Sequence, residues 1–128
     1  MALDPVSQAF LGDAFYELFV RCRLVENGEV YSADKLHSAA VRYVKASSQA
    51  KSVRAFAGQG ILSEEEAGIV RKARNRKPKT VPKNADPLDY KLATAFEALL
   101  GYHYSEGRIA RAEELAEKAM AVIDSEDK

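Results

Sequence analysis

Two carboxylates stand alone in apolar surroundings. Asp13 lies in Ala9-Phe10-Leu11-Gly12-Asp13-Ala14-Phe15, and Glu97 in Leu92-Ala93-Thr94-Ala95-Phe96-Glu97-Ala98-Leu99-Leu100, each the sole charge of its run. Burying an ionised carboxylate is costly unless something compensates it. Each acid must therefore be paired with a base such as Arg42 or Lys91, protonated, set at a cleft, or bound to a cation. The last option has a chemistry of its own, because carboxylate oxygens suit Mg²⁺, which keeps several waters and meets phosphate oxygens directly.

A second pattern fits that option. Seven of the 19 basic residues fall between Arg71 and Lys83 with no acid among them, which leaves 12 basic residues against 19 acidic ones elsewhere. The formal net charge of zero hides this local strip. Such a strip offers a positive surface to a polyanion, with nucleic acid the leading candidate. Alternatively, it complements a helix dipole and keeps a loop solvated. Beside the two acids it suits metal-assisted phosphodiester cleavage.

Other reactive side chains say less. His37 and His103 lack any HExxH or close Cys/His spacing. Tyr16 and Tyr102 could line the same cleft as the acids, or simply fill the core. Cys22 has no nucleophilic context; as the single cysteine it forms no internal disulfide, and it fits a reducing, cytoplasmic compartment.

The elements that must position these residues are helices. Asp4-Pro5 reads as an N-cap with proline in the first turn. Val6, Phe10, Ala14, Leu18, Cys22 and Val25 then recur at helical spacing, with Leu11, Phe15 and Phe19 beside them, until Asn27-Gly28. Ser32 caps a second helix through Leu36, Ala39, Ala40, Tyr43 and Val44, with a break between Lys45 and Ser48. A third, through Ala50, Val53 and Phe56, stops at Gly58-Gln59-Gly60. Ser63-Glu64-Glu65-Glu66 spells a capping box for a fourth helix, reaching about Arg74. Residues 75–85 hold Pro78 and Pro82 and should be an extended loop. Asp86-Pro87 repeats the first signature and opens a fifth helix to Glu106-Gly107. The sixth runs from Arg108 to about Ile123.

No alternating strand pattern, repeat or low-complexity tract interrupts this order. With 128 residues and 47% hydrophobic composition, the expectation is one all-α domain over residues 1–128. The opening residues carry no basic and apolar leader, and charges break every apolar run short of a membrane span. Neither export nor membrane insertion is expected.

At the acid-bearing segments the sequence becomes familiar. Phe10-Leu11-Gly12-Asp13-Ala14 resembles the signature helix of the ribonuclease III catalytic domain, and Ala95-Phe96-Glu97-Ala98-Leu99-Leu100-Gly101-Tyr102 resembles its second acidic helix. Leu36-His37-Ser38-Ala39-Ala40-Val41-Arg42-Tyr43-Val44, Arg74-Asn75-Arg76-Lys77 and Thr80-Val81-Pro82-Lys83-Asn84 resemble the short bacterial form, Mini-ribonuclease III. Together these segments touch most of the chain in the family's order.

The resemblance implies an all-helical endonuclease-domain bundle that works as a homodimer, without a double-stranded-RNA-binding domain. It implies Mg²⁺, with Mn²⁺ able to substitute, and cleavage of double-stranded RNA to 5′-phosphate and 3′-hydroxyl ends. The implied role is maturation of precursor 23S ribosomal RNA, helped by a large-subunit ribosomal protein. On this reading Asp13 and Glu97 are the catalytic metal ligands, and Phe10 packs into the partner subunit. Arg74, Arg76, Lys77, Lys79 and Lys83 hold phosphates, and Glu17 could assist through a water. Two further acids of the larger family are replaced here by Ala9 and Thr94, which leaves thin support for a second metal. The alternative is a non-catalytic RNA-binding or ribosome-assembly module of the same fold.

Overall fold

The computed structural model describes residues 3–28, 32–77 and 80–126. These form six helices and no strand: α1 Pro5–Asn27, α2 Ala33–Val44, α3 Ala46–Gly58, α4 Glu64–Asn75, α5 Pro87–Ser105 and α6 Ile109–Ser125. Among the described residues no helix is long and apolar enough to cross a membrane.

The helix starts follow from the predicted caps. Asp4 accepts from Ser7 N at 2.8 Å, and Asp86 accepts from Leu88 N and Asp89 N at 2.9 and 3.0 Å. Ser63 and Glu66 bond each other's backbone N–H reciprocally, satisfying two donors that the first turn of α4 leaves open. Gly28 ends α1 in the left-handed region, at φ 67°. The break between α2 and α3 is tighter than expected, a single extended residue, Lys45. Side chains from the first turn of α3 close it: Ser48 Oγ donates to Arg42 O at 2.6 Å and Gln49 Nε2 to Val44 O at 2.8 Å.

Helix α5 is the axis of the bundle, packed by α1, α3, α4 and α6. It buries Leu92, Ala93, Ala95, Phe96, Ala98, Leu99, Leu100, Gly101 and His103, an all-round apolar surface that only a central helix can use. Phe96 meets Tyr16 edge-on at 4.8 Å between ring centroids and Phe56 at 6.2 Å. Leu99, Leu100, Leu115 and Val20 complete the core.

A buried polar cluster ties α4, α5 and α6 together. Glu66 accepts from Arg111 Nε and Nη2, both at 2.8 Å, and lies 2.6 Å from His103 Nε2. Arg108 Nε donates to His103 Nδ1 at 3.1 Å, so the imidazole proton belongs on Nε2, facing Glu66. His103 is thus a structural crosslink, and His37 is exposed on α2.

The structure corrects the predicted face of α1. The buried residues are Gln8, Ala9, Gly12, Tyr16, Phe19, Val20 and Leu24. The predicted stripe lies outside instead, with Phe10 78%, Leu18 64% and Val25 66% exposed. Helix α1 is apolar on two sides, and the small residues Ala9 and Gly12 select the side that α5 can approach.

Candidate active site

The site is built by a contact between backbones. An ideal Cβ added to Gly12 would fall 1.7 Å from the Glu97 carbonyl oxygen, and one added to Gly101 would fall 1.7 Å from the Gln8 carbonyl oxygen. Helices α1 and α5 therefore cross with nothing between their main chains, which no residue but glycine permits at these two points. The crossing sets Asp13, next after Gly12, beside Glu97, whose carbonyl Gly12 touches.

The two carboxyls lie within hydrogen-bonding reach of each other. Asp13 is exposed and Glu97 half-buried, so the pair reaches solvent rather than lying in a sealed interior. Burial first, then the negative charge of Asp13 and the hydrogen bond shared with it, push the Glu97 carboxyl up to about 8. Glu17 adds repulsion while pairing with Arg21 at 3.2 Å. The Gln49 carboxamide, within reach of Glu97, works the other way and favours its charged form.

Arg42, considered as a neutralising partner, bonds the Tyr43 hydroxyl at 2.9 Å and pairs with Asp124 at 3.3 Å. Tyr16 does not line the cleft: its ring is core, and its hydroxyl sits near Tyr43 and Asp124 with its pKa raised, chiefly by burial.

Among the described residues no three His, Cys, Asp or Glu side chains converge to hold a metal by themselves. Two adjacent carboxylates that repel each other, beside a buried amide oxygen without a donor at Gln49, nevertheless fit a hydrated hard cation that keeps most of its waters. The two positions that lack acids explain themselves. Ala9 is packed against Ala73, Ala95 and Ala98 where α1, α4 and α5 meet, and Thr94 Oγ1 donates to Tyr90 O at 2.9 Å along its own helix.

The small alanines bring α4 close, and its basic end follows. Ala73, Arg76, Tyr90, Lys91 and Thr94 line one small cleft, and Thr94 stands one turn before Glu97. Arg71, Lys72, Arg74, Arg76, Lys77 and Lys83 are exposed, and among the described residues none is held in an ion pair. Elsewhere Arg21, Arg23, Arg42, Lys51, Arg54, Arg108 and Arg111 are each paired with an acid. Lys79 lies outside the described residues. The reading of the basic strip missed Lys91; its only signal was its position three residues before Thr94.

The family model for the ribonuclease III domain matches residues 7–108. The Mini-ribonuclease 3 of Symbiobacterium thermophilum is 44% identical over 97% of this chain and 93% of that protein. That of Brevibacillus brevis is 43% identical over 96% of this chain and 90% of its own length. The chain belongs to the Mini-ribonuclease III branch of the ribonuclease III family. A crystal structure of a Fusobacterium nucleatum protein, 30% identical, superposes with a TM-score of 0.78 over 96% of this chain and 93% of that one. Membership decides for the enzyme over the non-catalytic module: this is an endoribonuclease of the ribonuclease III type, a family of divalent-metal-dependent nucleases that act on double-stranded RNA.

Proposed function

We propose that Asp13 and Glu97 form the metal centre of a Mini-ribonuclease III that cuts both strands of an RNA duplex, with Mg²⁺ as the ion and Mn²⁺ able to substitute. The observation that carries this is the glycine-mediated crossing, which holds two mutually repelling carboxyls together, one of them open to solvent. A bound divalent ion would relieve that repulsion and supply an activated water and a Lewis acid to the scissile phosphate. Asp13 and Glu97 bind and orient it, leaving coordination positions for water and a phosphate oxygen. Arg74, Arg76, Lys77, Lys79 and Lys83, joined by Lys91, hold the flanking phosphates, consistent with recognition of A-form RNA by shape and backbone. The products are 5′-phosphate and 3′-hydroxyl ends.

The proposed unit is a homodimer paired through α1. Two copies laid antiparallel about Ala14 set Phe10 of each against Leu18 of the other. The hollow of about 250 Å³ lined by Phe15, Leu18, Phe19 and Cys22 has room for that phenyl ring. A twofold then presents one site to each antiparallel strand. We assign precursor 23S ribosomal RNA as substrate, a large-subunit ribosomal protein as helper and the cytoplasm as compartment on the family resemblance alone.

The test is cleavage of a long perfect RNA duplex with and without Mg²⁺. Asp13→Asn and Glu97→Gln are expected to abolish cutting with helical content and oligomeric state unchanged, and normal turnover in either removes that residue from the site. Phe10→Asp is expected to give a monomer by sedimentation, and a stable dimer in that variant refutes the α1 pairing.

A further inference from the structure

Gln49 is 2% exposed, deep between α3 and α5. Its Nε2 donates to Val44 O at 2.8 Å, the carbonyl that the end of α2 leaves open. That bond fixes which end of the carboxamide is nitrogen, because a carbonyl oxygen accepts only from N–H. The same amide reaches the Glu97 carboxylate. Its oxygen, Oε1, is buried with no hydrogen-bond partner among the described residues.

A buried amide oxygen without a donor is rare in folded proteins and is tolerated where a water or an ion completes it. Capping α2 accounts for the nitrogen and leaves the oxygen unexplained. The nearby carboxyls do not supply a donor to a loaded site: a protonated Glu97 shares its proton with Asp13, and once ionised to bind a cation Glu97, like Asp13 and Glu17, only accepts hydrogen bonds. Among the described residues, then, nothing donates to this oxygen when the acids are ionised, and the donor must come from a bound species. A cation held by Asp13 and Glu97 brings such donors with it, since a Mg²⁺ bound by two carboxylates keeps several waters and polarises their O–H bonds.

We infer that Gln49 is a positioning residue of the metal centre, its Nε2 orienting the Glu97 carboxylate while its Oε1 accepts a hydrogen bond from a metal-bound water. This rests on the assignment of the metal to Asp13 and Glu97. One side chain then links the α2–α3 junction to the metal's outer shell, and the orphaned oxygen is satisfied only in the loaded enzyme. Outer-shell partners of this kind commonly change metal affinity by about 10–100-fold.

The experiment is calorimetric titration of the full-length protein with Mn²⁺ in the absence of RNA, comparing wild type, Gln49→Met, Gln49→Asn and Asp13→Asn, with thermal melts in EDTA for each. Gln49→Met matches the length of glutamine without its polar atoms. Gln49→Asn keeps the amide but is too short to reach both Val44 O and Glu97, and it stands in if the methionine variant does not fold. The expected result is a dissociation constant raised about tenfold or more in the Gln49 variants, with the Mg²⁺ concentration for half-maximal duplex cleavage raised in parallel. A purely structural glutamine would lower the melting temperature in EDTA and leave the dissociation constant at the wild-type value, and that result overturns the inference. The Asp13→Asn arm separates the two levels. If it binds Mn²⁺ as tightly as wild type, the metal assignment fails and the inference falls with it. If it loses binding while the Gln49 variants keep it, only the role of Gln49 fails.

Discussion

Removing the charge at Glu97 should make the metal-free protein more stable while destroying its activity. The folded chain holds this carboxyl at about 8 against an ordinary 4.5, through burial and the repulsion of Asp13. A carboxyl whose folded pKa is raised binds its proton more tightly in the native state, so stability falls as pH rises from 4.5 to 8 and then stays flat. At about 1.36 kcal/mol per pH unit the full displacement corresponds to an upper limit of about 5 kcal/mol. Asp13, the source of the repulsion, faces water, so screening and relaxation reduce this to about 2 kcal/mol. For a chain of this size that corresponds to a rise in melting temperature of roughly 7 °C.

The assay is differential scanning calorimetry of wild type and Glu97→Gln in EDTA at pH 4 and at pH 8.5. The gain should be absent at pH 4, where wild type is protonated both folded and unfolded, and complete at pH 8.5. Adding Mg²⁺ at pH 8.5 should raise the wild-type melting temperature and leave the variant unmoved. A variant no more stable than wild type at pH 8.5, or a difference that ignores pH, would refute the reasoning.

Other expectations follow from the same geometry. Gly12→Ala forces a methyl group into the Glu97 carbonyl and should cost more than about 4 kcal/mol, read as loss of the cooperative melt. A normal melt would show that the helices can part cheaply. Glu66 is held near 2, first by the Arg111 guanidinium, so its contribution is present above pH 4.5 and lost as the pH falls toward 2. Denaturant titrations should show wild type losing up to about 3 kcal/mol more than Glu66→Gln across that range. Equal acid sensitivity would remove the cluster from the stability balance. Replacing Arg76, Lys77 and Lys91 by Ala in an inactive Asp13→Asn background should lower the salt slope of RNA binding by about 2–3, as three lost phosphate contacts require. An unchanged slope would return the strip to a solvated surface.

The helix order was legible because its signals are local. Asp4-Pro5, Asp86-Pro87 and the Ser63–Glu66 box each satisfy first-turn donors within a few residues, and the structure begins helices at all three. The face that α1 buries was not legible, because hydrophobicity cannot choose between two apolar stripes. Gly12 and Gly101 chose it, by a contact between positions far apart in sequence. Asp13 and Glu97 stood out as isolated charges, and the structure sets them side by side. Gln49 gave no such signal, since a glutamine among serines looks like ordinary surface until α5 is placed against α3, and Lys91 stood out only as a possible partner for the acids, not as part of the basic strip. His103 and Glu66 were equally opaque: their partner Arg111 lies on a third helix.

The most direct test of the Asp13–Glu97 centre is anomalous diffraction from crystals of this protein soaked in Mn²⁺. One strong peak per chain is expected, between the Asp13 and Glu97 carboxylates, that disappears in Asp13→Asn. A peak held by other residues, or one that survives in that variant, would contradict that placement.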